Sequence, residues 1–125
     1  MRKKILIATM MLLMFSPAAV KADEIHTAKA TAYCLTGTTA TGTQTMPGRT
    51  VASKPEYFGK VMYLWEDSGD HQIHSDNFIG MYVVEDTGSK NIKLGYVIDV
   101  YIPEYEEAKK FGSKDVIYQI VDCEG

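Results

Sequence analysis

The chain of 125 residues has no apolar run long enough to cross a bilayer. Its longest, Ile5 to Phe15, is broken by Ser16 and Pro17, short of the roughly 20 residues a membrane helix needs. No cysteine stands directly after that run to carry a lipid anchor. Cysteine is scarce throughout, with Cys34 and Cys123 alone, so no disulfide-dense scaffold is possible. Positive charge is scarce as well. Four of the 13 basic residues (Arg2, Lys3, Lys4, Lys21) precede residue 23, and the remainder carries 9 basic against 16 acidic residues, a net of −7. Such a surface repels phosphate backbones, which argues against nucleic acid as a partner. Internal repeats, heptads and low-complexity tails are also missing, and with them solenoids and coiled coils.

What is present begins with a leader. Arg2, Lys3 and Lys4 precede the apolar run, and Val20-Lys21-Ala22 sets small residues at the −3 and −1 positions. Residues 1–22 therefore read as a secretory signal peptide, and residues 23–125 as one exported domain with no stable membrane insertion, expected to be a monomer. In an oxidising compartment Cys34 and Cys123 are expected to pair. That bridge would close a loop of about 90 residues, for which chain entropy gives roughly 4 to 5 kcal/mol. The competing reading makes Cys34 a nucleophile served by His71 or His74, which needs a free thiolate.

Turn residues cut the domain into short runs rich in Val, Ile and Tyr. "HTAKATAY", "KVMYLW", "FIGMYVV", "YVIDVYI" and "VIYQIV" are predicted strands. "LTGTTATGTQTMPGRT" has no apolar period and reads as a loop or groove wall. "PEYEEAKKFG" predicts the one helix, with Pro103 at its first position, acids at its start, Lys109 and Lys110 at its end and Gly112 as its stop. Tyr105, Ala108 and Phe111 would form its apolar face. The fold class is mainly β: a small barrel with one short helix as lid or plug.

Three candidate sites follow from side-chain chemistry. His71 and His74 lie beside Asp70 and Asp76 in the polar stretch "EDSGDHQIHSDN", but a third well-placed ligand is missing, so solvated side chains and no metal are expected. Asp86-Thr87-Gly88, with Asp67-Ser68-Gly69 as a second copy, has the look of an aspartic protease pair. Glu85 opposes that reading, because it puts a charge where the motif needs an apolar strand end. The bland account of Asp86 is an Asx-turn, with Gly88 at positive φ. Asp99 is harder to explain away. It is the one acid in "VIDVYI", and a carboxylate partly desolvated there has the raised pKa that a general acid needs.

Taken in order, "TAYC…GTTATGT…VASKP…FG…MYVVEDTG…IKLGYVIDVYIPEYEEAKKFG" resembles the 3D domain, named for three aspartates. This domain occurs in cell-wall proteins of Gram-positive bacteria and is related to the barrel of membrane-bound lytic transglycosylase A. The resemblance runs from Thr31 to about Val121. It implies a six-stranded double-psi β-barrel that cleaves the β-1,4 bond between N-acetylmuramic acid and N-acetylglucosamine in peptidoglycan, without a cofactor. It implies that Asp99 is the catalytic acid and then base, and that Asp86 supports it. Tyr33, Thr41 and Gly42 would belong to the glycan groove wall, with Thr87, Gly88 and Lys93 of the later motifs beside them. The family's first aspartate ordinarily follows Val-Ala-x, and Lys54 stands there instead; a cation beside Asp99 would lower its pKa. That departure favours the alternative of a non-catalytic glycan-binding or wall-loosening module, as in the expansins. A lytic transglycosylase needs only one acid/base, since the sugar's C6 hydroxyl replaces water as nucleophile.

Overall fold

The computed structural model describes residues 24–122, so the leader expected over residues 1–22 and Cys123 lie outside the described residues. Alternation sets the strands. In β1 (Ile25–Tyr33) the small residues Ala28 and Ala30 turn inward while Ile25, Thr27 and Lys29 are exposed. β3 (Val61–Glu66) buries Met62 and Leu64; β5 (Val97–Tyr101) buries Ile98 and Val100; β6 (Lys114–Val121) buries Val116 and Tyr118. β4 (Phe78–Asp86) contributes Val84. Inward side chains at every second position are what a strand with one face on a core requires.

The sixth strand, β2 (Thr50–Ala52), escapes the sequence reading. It has three residues, too few to display a period, and all three are buried because it lies between β4 and β5. The sheet closes in the order β1-β5-β2-β4-β3-β6, with β6 pairing back to β1. β1–β5 and β2–β4 are parallel, and the other four pairs are antiparallel. Val51, Met62, Leu64, Val84, Ile98 and Val116, all fully buried, fill the interior. The fold is mainly β, as expected.

Two short helices accompany the barrel. A single turn, α1 (Lys90–Lys93), stands where only a turn was expected and buries Ile92. The expected helix is α2 (Tyr105–Phe111), with Glu104 just before it and Gly112 as its stop. Pro103 therefore precedes the helix instead of opening it, and Tyr105 is 65% exposed instead of lying on the packed face. Phe111 is the α2 residue that reaches the core, with Lys114 Nζ over its ring at 4.3 Å. Among the described residues no helix is long and apolar enough to cross a membrane.

Cys34 follows β1 and is exposed, and the expected Cys34–Cys123 pairing involves a residue outside those described.

Candidate active site

The site is made by a register shift. Along β4, Val84 and Asp86 would share one face by simple alternation, which would send Asp86 into the core. Between Val51 and Ala52 the β2–β4 pairing jumps, matching Val51 to Val84 and Ala52 to Asp86. The extra residue is Glu85. A bulge of this kind re-aims side chains. Glu85 tucks in, 7% exposed, where its Oε1 accepts from Thr50 Oγ1 at 2.8 Å and Arg49 Nε at 3.1 Å. Asp86 is released to the outer face.

Ala52 pairs with Asp86 on one side and Asp99 on the other. The two aspartates thus flank one small residue, with Cα atoms about two strand spacings, roughly 9 to 10 Å, apart. The cleft between them, about 440 Å³, is lined by Tyr33, Ala52, Asp86, Thr87, Ile92 and Asp99. Its far wall is α1 and the turn before it. Gly88 does not take positive φ; a Cβ there would lie 2.9 Å from Ile92 Cδ1, the tip of a side chain that can turn aside.

Each carboxylate has its own partners. Asp99 Oδ1 accepts from Thr31 Oγ1 at 2.9 Å, its neighbour in the β1–β5 register. Burial pushes the Asp99 pKa up, and the charge of Asp86 pushes the same way, against the Thr31 hydrogen bond. Asp86 Oδ2 accepts from Tyr33 OH at 3.1 Å, and its Oδ1 from the backbone N–H groups of Ala40 and Thr87, both at 3.0 Å. The Asx-turn expected at Asp86 is thereby replaced by a clamp joining β1, the Thr-rich loop and the strand end. Burial and then the Asp86 charge hold the Tyr33 phenol protonated.

Of the residues predicted from sequence, Tyr33, Asp86, Thr87, Gly88 and Asp99 meet in this cleft. Thr87 Oγ1 is buried there without a hydrogen-bond partner among the described residues. Thr41 lies in a neighbouring recess with Thr43, Phe58 and Glu85, held by its N–H to Glu85 O at 3.1 Å. Gly42 is at an exposed loop tip with φ 92°, and Lys93 is exposed on α1; neither lines the cleft. Thr31 and Ala52 were missed. Their importance comes from pairing, although Thr31 opens the Thr-Ala-Tyr motif.

Lys54 is turned toward Glu56 and Tyr57. Its stem crosses Gly95, whose φ of 87° and lack of Cβ let Lys54 Cδ come within 2.8 Å of the ideal Cβ position. Its Nζ pairs with Glu56 at 3.5 Å and sits 5.3 Å from the centre of the Tyr57 ring. With that cation engaged elsewhere, burial and Asp86 leave the Asp99 pKa raised.

The loop histidines are exposed, as expected, and each also meets an aspartate. His71 Nδ1 lies 2.7 Å from Asp67 Oδ2 and His74 Nε2 lies 2.8 Å from Asp70 Oδ2. Asp67 is thus engaged with His71 in a different hollow from Asp86, and the two do not form the shared-proton pair of an aspartic protease. Among the described residues no group of three or more His, Cys, Asp or Glu side chains is placed to hold a metal ion.

The class of protein so defined is a closed, mainly β barrel with two aspartates displayed on its outer face. Comparison with protein families and with curated proteins finds no match. Solved structures do match. A crystal structure of MltA from E. coli has TM-score 0.48 and 16% identity, covering 70% of this chain and 28% of that one. A single-residue variant of the E. coli lytic transglycosylase MltA in an apo form gives 0.48 and 14%, and a second crystal structure of MltA gives 0.47 and 16%. The chain spans 28% of the length of these structures.

Proposed function

We propose that the protein is an exported, cell-wall-associated lytic transglycosylase, a single domain over residues 23–125 acting on peptidoglycan glycan strands. The observation that carries this reading is Asp99: a half-buried carboxylate with a raised pKa, facing an open cleft, with a second carboxylate across Ala52. Protonated, it donates to O4 of the leaving N-acetylglucosamine. Ionised by that transfer, it accepts the C6 hydroxyl proton as the oxygen closes on C1, giving a 1,6-anhydro-N-acetylmuramic acid end. Asp86 stands across Ala52 with its two oxygens accepting from three donors. It raises Asp99 toward the protonated form and offsets positive charge developing at C1.

The test is mass spectrometry of soluble products after incubating the protein, and Asp99→Ala, with bacterial sacculi. Anhydro ends from the wild type, reduced by about 10² to 10⁴ in the variant, are expected. Reducing ends instead would mean water is the nucleophile. Sacculi bound without product would overturn the enzyme reading in favour of the glycan-binding module.

A further inference from the structure

A second hollow of about 440 Å³ lies further along the barrel, lined by Lys29, Asp67, Gly69, His71, Tyr96 and Asp115. Register places it along the same two strands as the cleft. β1 and β5 are parallel, with Lys29 opposite Val97 and Thr31 opposite Asp99, so Lys29 stands two residues before Thr31 on the same outer face. That is about 7 Å along the strands, on the scale of one sugar ring.

Its chemistry suits a sugar. Tyr96 is 65% exposed and supplies an aromatic face for the C–H side of a pyranose. Around it stand hydrogen-bonding groups. Lys29 Nζ is 3.2 Å from Asp115 Oδ1. The Asp67 side chain, only 3% exposed, accepts the N–H groups of Gly69 (2.9 Å) and His71 (3.1 Å) and engages His71 Nδ1. This leaves His71 Nε2 for another partner. His71 holds φ 58°, a left-handed conformation uncommon for histidine, and the Asp67 N–H bonds Asp115 O at 2.8 Å, tying the β3–β4 loop to β6.

We infer that the groove continues past Asp99 into a second saccharide subsite, where a further ring of the same glycan strand stacks on Tyr96 and hydrogen-bonds His71, Lys29 and Asp115. This rests on the proposed action on glycan strands. It makes the β3–β4 loop part of substrate recognition, and makes affinity depend on strand length.

The test uses soluble peptide-free glycan strands of graded length with wild type, Tyr96→Ala and His71→Asn, an asparagine tolerating the left-handed backbone. Tyr96→Ala removes an exposed ring and should leave the melting temperature unchanged. Both variants are expected to raise KM for long strands about five- to tenfold with kcat unchanged, and to lose that difference on the shortest strand cleaved. Equal KM in all three proteins would overturn the subsite while leaving the transglycosylase intact. If the wild type cleaves nothing, calorimetric binding of the same strands decides: loss of affinity in Tyr96→Ala keeps the subsite although the enzyme reading has failed, and equal or absent binding overturns it.

Discussion

At the scale of the residue, Asp99 is where three influences meet, and they can be separated by substitution. Burial and the Asp86 charge raise its pKa while the Thr31 hydroxyl lowers it. A general acid must be protonated, so the alkaline limb of kcat/KM follows the Asp99 pKa. Thr31→Val removes the hydrogen bond that favours the anion, and the limb is expected to move to higher pH. Asp86→Asn removes the like charge and should move it to lower pH. Shifts in the same direction, measured as pH profiles of product release, would mean that Asp99 is not the group titrating. The same raised pKa has a consequence for stability. A carboxyl raised in the folded state contributes stability fully below its unfolded pKa, and that contribution is lost as pH rises through the folded value. Asp99→Asn is therefore expected to melt above the wild type at pH 7, with the gap closing toward pH 4. Site and stability are in opposition at this residue.

At the scale of the element, the β4 bulge shows what a sequence conceals. Glu85 reads as a charge in an awkward place next to a motif aspartate. In the barrel it is the residue whose insertion turns Asp86 outward, and its carboxylate holds Arg49 and Thr50. Removing it in Glu85→Ala leaves Arg49 without its carboxylate, and chemical denaturation is expected to show a loss of about 1 to 3 kcal/mol. A loss within error would make the pair ornamental. Asp99 was legible because a lone acid in an apolar strand is conspicuous, and the five longer strands because alternation repeats often enough to be read. β2 was not legible, since three buried residues carry no period. Ala52 and Thr31 were not either, because what they do depends on which strand lies beside them. Lys54 could be placed opposite a family position by sequence, but its direction is set by Tyr57 and by Gly95, which only the folded chain brings near. The polar β3–β4 loop was correctly read as exposed, yet its composition did not disclose that His71 and His74 each find an aspartate four residues earlier.

At the scale of the whole molecule, the site exists only when the barrel closes. Thr31 and Asp99 are 68 residues apart in sequence, Tyr33 and Asp86 53, and Ala40 and Asp86 46. β1 pairs on both edges, with β5 and β6, so the ring cannot form before the two ends of the domain meet. Long loops must be closed before such contacts repay their entropy, which places folding in the millisecond to second range. Trp65, the one tryptophan, reports on closure because it lies in β3 opposite Phe78 of β4 and Ile117 of β6. In refolding of a chain beginning at Asp23, Trp65 fluorescence and the capacity to bind glycan strands are expected to return in one phase with one rate. Leu64→Ala, emptying a fully buried position in the same strand, should cost about 2 to 5 kcal/mol and weaken both signals at the same denaturant concentration. Recovery of binding ahead of fluorescence would mean that the cleft forms on an open sheet, and that the pairing of β1 with β5, without closure of the ring, is enough to set Asp99 in place.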